Sequence, residues 1–193
     1  PDVQKTPDER GIAIDEVGVS NIRFPVRFPL RDGGSISTVA NISMRVALPD
    51  YEKGTHMSRF MIALHEKVDD LSPANVRKVL EHLLDLLDSE TAYLDMSFPI
   101  FLNRPAPVTG IQGLLDYECE FKGVLRKDGT YDRHVEVRVT AASLCPCSKN
   151  ISEYGAHNQR SLITLKVRET EDIIWFEDLI DIAERNASCQ MYP

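Results

Sequence analysis

One short pattern occurs twice in this chain, and that recurrence limits the fold more than any other feature. Gly54-Thr-His-Met-Ser-Arg59 and Gly155-Ala-His-Asn-Gln-Arg160 lie 101 positions apart, with Ile62 and Leu64 in step with Ile163 and Leu165. Self-similarity at a fixed period implies a duplicated supersecondary unit. Upstream of the first copy, Ala40, Ile42, Met44, Val46 and Leu48 alternate with Asn41, Ser43 and Arg45. Upstream of the second, Val135, Val137, Val139 and Ala141 alternate with Glu136, Arg138 and Thr140. Period two is the signature of a strand with one buried face.

Downstream of each motif the period changes to that of a helix. After Ser72 as N-cap and Pro73 at the first helical position, Val76, Val79, Leu80, Leu83, Leu84 and Leu87 form one apolar stripe. The second copy has Phe176, Leu179, Ile180, Ala183 and Ala187. Each unit therefore reads as strand, connection, strand, helix. That reading puts Ile62, Leu64 and His65 in a strand, and residues 93–102 and 114–125 add two more. Pro99, Pro105 and Pro107 mark edges or the join between units. The expected units are 18–110 and 111–193, the second incomplete beside the first because no strands follow its helix.

The second copy differs in its connection. Ala47-Leu-Pro-Asp-Tyr-Glu-Lys53 is compact, whereas Ser143-Leu-Cys-Pro-Cys-Ser-Lys-Asn150 is longer and places Cys145 and Cys147 close in sequence to His157. Thiolate and neutral imidazole suit borderline-soft metals, and a catalytic site needs only three protein ligands if water keeps the fourth position. Pro146 fixes its own φ and biases Cys145 to an extended conformation, so a rigid loop or bulge at a strand end is expected. A buried thiol pair and a redox pair remain open alternatives. No second Cys or His pair follows at zinc-finger spacing. His56 matches His157 but has no thiols beside it; Lys53, Ser58 and Arg59 around it offer donors for phosphate oxygens.

Composition narrows the function classes. The net charge of −8 argues against a general nucleic-acid surface while allowing a local basic pocket. No apolar run approaches the length of a membrane helix. Four cysteines without a secretory leader point to a reducing compartment, hence the cytoplasm.

Taken together, Gly18-Val-Ser-Asn-Ile-Arg-Phe-Pro25, Lys53-Gly-Thr-His-Met-Ser-Arg-Phe60, Cys145-Pro-Cys-Ser-Lys149 and Gly155-Ala-His-Asn-Gln-Arg-Ser161 resemble the type IB GTP cyclohydrolase I family over nearly the whole chain. The resemblance implies an α+β tunnelling fold of two tandem ββααββ units, antiparallel sheets with helices on one face, assembled as a homotetramer with active sites between subunits. It implies conversion of GTP and water to 7,8-dihydroneopterin triphosphate and formate, the first step of folate synthesis. Cys145 and His157 fall on the family's zinc or manganese ligands, and Cys147 is the neighbouring thiol, able to tune the site or to disable it by oxidation with Cys145. The family's carboxylate ligand and guanine-anchoring glutamate have no match here. Glu153 and Cys147 are candidates for proton transfer, and Lys53, His56, Ser58, Arg59, Gln159 and Arg160 for GTP binding. Other readings are a deazapurine nitrile reductase with a nucleophilic cysteine and a non-catalytic structural metal site.

The other titratable groups receive plainer expectations. Cys119 shares a strand face with Leu115, Tyr117 and Phe121 and reads as core. His82 lies off its helix's apolar stripe and reads as solvated. His134 is given no role, Cys189 either approaches the site or packs, and 169–172 reads as a solvated turn.

Overall fold

The computed structural model describes residues 9–67, 73–153, 158–170 and 173–192. The elements in order are β1 (Ile14–Pro29), β2 (Ser35–Leu48), α1 (Met57–Lys67), α2 (Pro73–Leu87), β3 (Thr91–Pro105), β4 (Gln112–Arg126), β5 (Tyr131–Leu144), α3 (Pro146–Lys149), β6 (Asn158–Glu169), α4 (Phe176–Asn186) and β7 (Cys189–Gln190). Strands β1 to β6 form one antiparallel sheet in sequential order, and β7 adds to β5. The expected α+β class, antiparallel with helices on one face, is what the chain adopts. The boundary expected at 110 and 111 falls in the turn of the β3–β4 hairpin, whose strands pair from Thr91 with Arg126 to Pro105 with Gln112, so the sheet is continuous across it.

Alternation decides which face is covered. Ile42 is opposite Met96, Met96 opposite Phe121, Phe121 opposite Val135 and Val135 opposite Val167, a row of apolar side chains across five strands. The helices answer with Phe60, Ala63 and Leu64 of α1, Val76, Val79, Leu80 and Leu83 of α2, and Phe176, Leu179, Ile180 and Ala183 of α4. All belong to one buried cluster, so apolar burial holds the helices to this face. Phe176 ties the halves together, its ring 5.3 Å from that of Phe28 and 5.5 Å from that of Phe98. Outside this cluster the Arg31 N–H donates to Glu177 at 2.8 Å and the Arg31 guanidinium pairs with Asp178.

β1, which the sequence reading did not assign, is irregular. Its register on β2 shifts between Ile14 and Val17 and again between Val19 and Ile22, where Asn21 takes φ 57. Gly18 lies in the straight stretch between them, and a Cβ there would fall 2.0 Å from the Met44 carbonyl oxygen.

Three sequence expectations are corrected. The segment expected as a strand after the first motif is helix α1, and His65 lies on it, exposed, its ring 5.2 Å from that of Phe24. Phe60, Ala63 and Leu64 recur at helical spacing and are fully buried, so this stripe outweighs the two-residue match of Ile62 and Leu64 to the second copy. Glu169 is not in a solvated turn: it ends β6 at 4% exposure, directly opposite Arg133, with Arg133 Nε 3.3 Å from Oε2. The Ile174 N–H donates to its other oxygen at 2.8 Å. Thr170 is exposed; Ser72 and residues 171–172 lie outside the described residues.

His82 is not free in solvent either, since its Nε2 lies 3.0 Å from Glu66 Oε2 and bridges α2 to α1. Cys119 is fully buried as expected, and burial pushes its thiol far up.

Candidate active site

β5 delivers the first thiol. Its pairing with β6 ends at Leu144 opposite Asn158, and the chain turns at Cys145 (φ −66, ψ 120) into the single helical turn α3, with Pro146 in the first turn. The expected loop or bulge is thus a one-turn helix at the strand end. The Cys145 carbonyl accepts the Ser148 N–H at 3.1 Å, the Lys149 N–H at 3.3 Å and the Ser148 hydroxyl at 2.9 Å. The Ser148 N–H is also first among the groups that hold the Cys145 thiol below its ordinary pKa; the Cys147 N–H assists, and desolvation opposes. A thiol biased toward thiolate is both the better metal ligand and the better nucleophile.

The two thiols differ in environment. Cys145 is 8% exposed, whereas Cys147 is exposed on the short helix, and both are free. Glu153 is exposed in the following turn. His157, the second expected metal ligand, lies outside the described residues. Among the described residues no three His, Cys, Asp or Glu side chains gather as a metal cluster. The chemistry of the thiol still fits a borderline-soft cation, since it is held toward its anionic form two residues from the exposed Cys147.

Gln159 and Arg160 begin β6 and diverge at once. Gln159 is opposite Ser143 on the helix-bearing face, and Arg160 is opposite Ala142 on the open face. Arg160 lines a crevice of about 200 Å³ with Leu115, Asp116, Tyr117, Thr140 and Met191. The crevice exists because β4 and β5 pair only as far as Glu118 and Arg138, while β7 joins β5 beyond, with Cys189 opposite Ala142. Cys189 is therefore exposed on the same face as Arg160, across one strand.

The first motif lies elsewhere. Lys53 is exposed in the loop after β2, the His56 carbonyl accepts the Arg59 N–H at 3.0 Å as α1 begins, and Ser58 is exposed in its first turn. Arg59 turns one donor to the Leu86 carbonyl at 2.6 Å, closing the end of α2. In the antiparallel register the end of β2 aligns with the start of β5. The end of β5, where Cys145 sits, is therefore at the opposite end of the sheet, roughly 40 Å away along the 14 residues of β5. Within one chain the structure brings Cys145, Cys147, Glu153 and the start of β6 to one end, and Lys53, His56, Ser58 and Arg59 to the other. A larger cavity, about 520 Å³, lies at the first-motif end between α2 and the β4–β5 turn, away from both thiols and lined by both signs of charge.

The sequence reading missed a polar cluster near the crevice. Arg104 of β3 reaches Asp181 at 2.9 Å and Glu184 at 3.0 Å on α4, and its Nε donates to the Tyr117 hydroxyl at 3.3 Å. The Tyr117 hydroxyl donates to Glu184. Burial first, and then the hydrogen bond to Glu184, push Tyr117 up to about 12. Three elements supply these four residues, so no local spacing announces them.

Among the described residues no helix is long and apolar enough to cross a membrane. The family model described as type I GTP cyclohydrolase folE2 matches residues 1–193. Curated relatives carry the name GTP cyclohydrolase FolE2. The protein of Methylobacillus flagellatus is 48% identical over 191 residues, 99% of this chain and 71% of its own length. That of Nitrosomonas eutropha is 46% identical over the same shares, and that of an Azoarcus species 45% identical over 100% of this chain and 71% of its own length.

Proposed function

The chain belongs to the type I GTP cyclohydrolase folE2 family, and from that membership we propose that it converts GTP and water to 7,8-dihydroneopterin triphosphate and formate, the first step of folate synthesis. We place it in the cytoplasm as a homotetramer, with Cys145 and His157 holding zinc or manganese. When bound there, such a cation supplies the Lewis acidity that activates water for attack at C8 of guanine.

The residues of the chain do the rest. The N–H groups of Ser148 and Cys147 lower the pKa of the Cys145 thiol and so favour its thiolate form. Opening the five-membered ring and expelling formate require proton transfers, and Cys147 and Glu153, both exposed beside Cys145 in the sequence, are the described groups suited to carry them. Arg160 on the open face, with Gln159 behind it, meets the substrate at the mouth of the crevice. Lys53, His56, Ser58 and Arg59 take the triphosphate; Arg59 keeps further donors beyond the one given to Leu86.

The observation that carries the assembly is the separation of the two motifs. One chain cannot wrap both around a single GTP when they sit at opposite ends of the sheet, so the site is completed by the first motif of a neighbouring subunit. A lowered thiol would also serve a nucleophilic cysteine in a nitrile reductase, and metal dependence separates the two. The test is to supply the reduced, metal-reconstituted protein with GTP, with and without chelator, and to measure formate together with pterin fluorescence. Both products should appear only with metal and vanish in Cys145→Ala; metal-independent turnover of a nitrile, with no formate from GTP, would overturn the reading.

A further inference from the structure

Ser148 is 2% exposed, and no role above uses its hydroxyl. We propose that Ser148 is a positioning residue for the metal thiolate, its buried hydroxyl fixing the Cys145 carbonyl so that Sγ is aimed at the site. This rests on the metal reading of Cys145.

The geometry gives the reason. Among the described residues the β5–β6 ladder ends at Leu144, and the Cys145 peptide has no strand partner there. Pro146 removes a donor from the turn, fixes its own φ and holds Cys145 extended (ψ 120), so the precise ψ of Cys145 within that range is what remains to be set between strand and helix. A four-residue helix cannot hold itself, since one turn costs more in ordering than its own hydrogen bonds return. The Ser148 side chain adds the missing constraint. The Ser148 hydroxyl donates to the Cys145 oxygen at 2.9 Å, joining the two backbone donors to the same atom at 3.1 and 3.3 Å. With its carbonyl held by three donors, the backbone of Cys145 is set, and the permitted side-chain rotamers follow from the backbone. A hydroxyl buried at this depth is costly unless bonded, so its place beside the thiol residue's carbonyl is specific. Groups that orient a ligand from behind in this way typically alter metal affinity by 10- to 100-fold when removed.

The test titrates the intact, metal-free protein with cobalt(II), reading the thiolate-to-cobalt absorption band and the apparent Kd, with the metal-free Tm measured alongside, for wild type, Ser148→Ala and Ser148→Thr. Ser148→Ala should weaken cobalt binding by roughly 10- to 100-fold and shift the band at unchanged metal-free Tm, and Ser148→Thr, which keeps the hydroxyl, should restore both. Equal affinity and the same band in wild type and Ser148→Ala would overturn the inference, whatever the Tm. So would a loss that a folded Ser148→Thr fails to restore. Absence of a thiolate band in wild type would instead remove the metal reading itself, and the inference with it.

Discussion

Replacing Tyr117 by Phe should change how stability depends on pH in a way computable from the cluster around it. Tyr117 is 3% exposed, donates to Glu184 and accepts from Arg104 at 3.3 Å, and its pKa is raised from 10.0 to about 12. The raised value favours the neutral phenol in the folded state. Below pH 10 neither state ionises, and stability owes nothing to the titration. Between 10 and 12 the unfolded chain loses the proton first, so the unfolded state binds fewer protons and folding stability falls as pH rises. With one pKa unit equal to 1.36 kcal/mol, the loss is about 1.4 kcal/mol by pH 11 and approaches about 2.7 kcal/mol above pH 12. Tyr117→Phe lacks the group and should escape this loss, although at pH 9 it is less stable by about 1 to 3 kcal/mol because Glu184 and Arg104 each lose a partner. Denaturant unfolding of both proteins at pH 9, 10 and 11 therefore predicts a gap that narrows by about 1.4 kcal/mol between pH 9 and 11. Other alkaline titrations, including that of buried Cys119, are common to both proteins and cancel. A constant gap across this range would refute the placement of Tyr117 in a closed cluster.

Three further outcomes follow from single contacts. Gly18→Ala should cost about 1 to 3 kcal/mol and lower Tm, because its Cβ would sit 2.0 Å from the Met44 oxygen and the β1–β2 ladder must give way; a Tm equal to wild type would contradict that approach. Arg133→Met should cost about 3 to 5 kcal/mol by stranding the buried Glu169 carboxylate, with Glu169→Gln added to it recovering part of the loss in a denaturation series. Equal amounts of Cys145→Ala and Lys53→Ala, each inactive alone, should regain about a quarter of wild-type formate release when unfolded and refolded together, since about a quarter of inter-subunit sites then draw both motifs from intact copies. No recovery in mixed tetramers would place both motifs of a site in one chain.

The legible parts of the fold were those where one period dominated. The stripe from Val76 to Leu87 and the alternation from Ala40 to Leu48 appear in the structure as α2 and β2. β1 carried the same signal in Ile22, Phe24, Val26 and Phe28, but the irregularity at Asn21 cuts the run, and a window that expects unbroken alternation passes over it. Glu169 misled for a different reason. Its partner Arg133 is 36 residues away in sequence and becomes adjacent only through the β5–β6 register, so the acidic run beside it reads as solvated. The cluster of Arg104, Tyr117, Asp181 and Glu184 is hidden in the same way.

The repeat marks both places where the proposed site residues occur, yet the two copies do not share a backbone. After His56 the chain runs Met-Ser-Arg-Phe-Met-Ile-Ala-Leu, with Phe60, Ala63 and Leu64 at helical spacing, and folds as α1. After His157 it runs Asn-Gln-Arg-Ser-Leu-Ile-Thr-Leu-Lys-Val, where Ser161, Ile163, Leu165 and Val167 alternate and the β-branched residues favour a strand, and folds as β6. A helix after β2 turns the first motif onto the helix-bearing side, whereas a strand after β5 returns the chain along the sheet and holds the thiol turn at its opposite end. β2 and β5 run in opposite directions, so motifs that follow their ends lie a sheet's length apart whichever element comes next. That separation is why the proposed site must be completed by a second subunit.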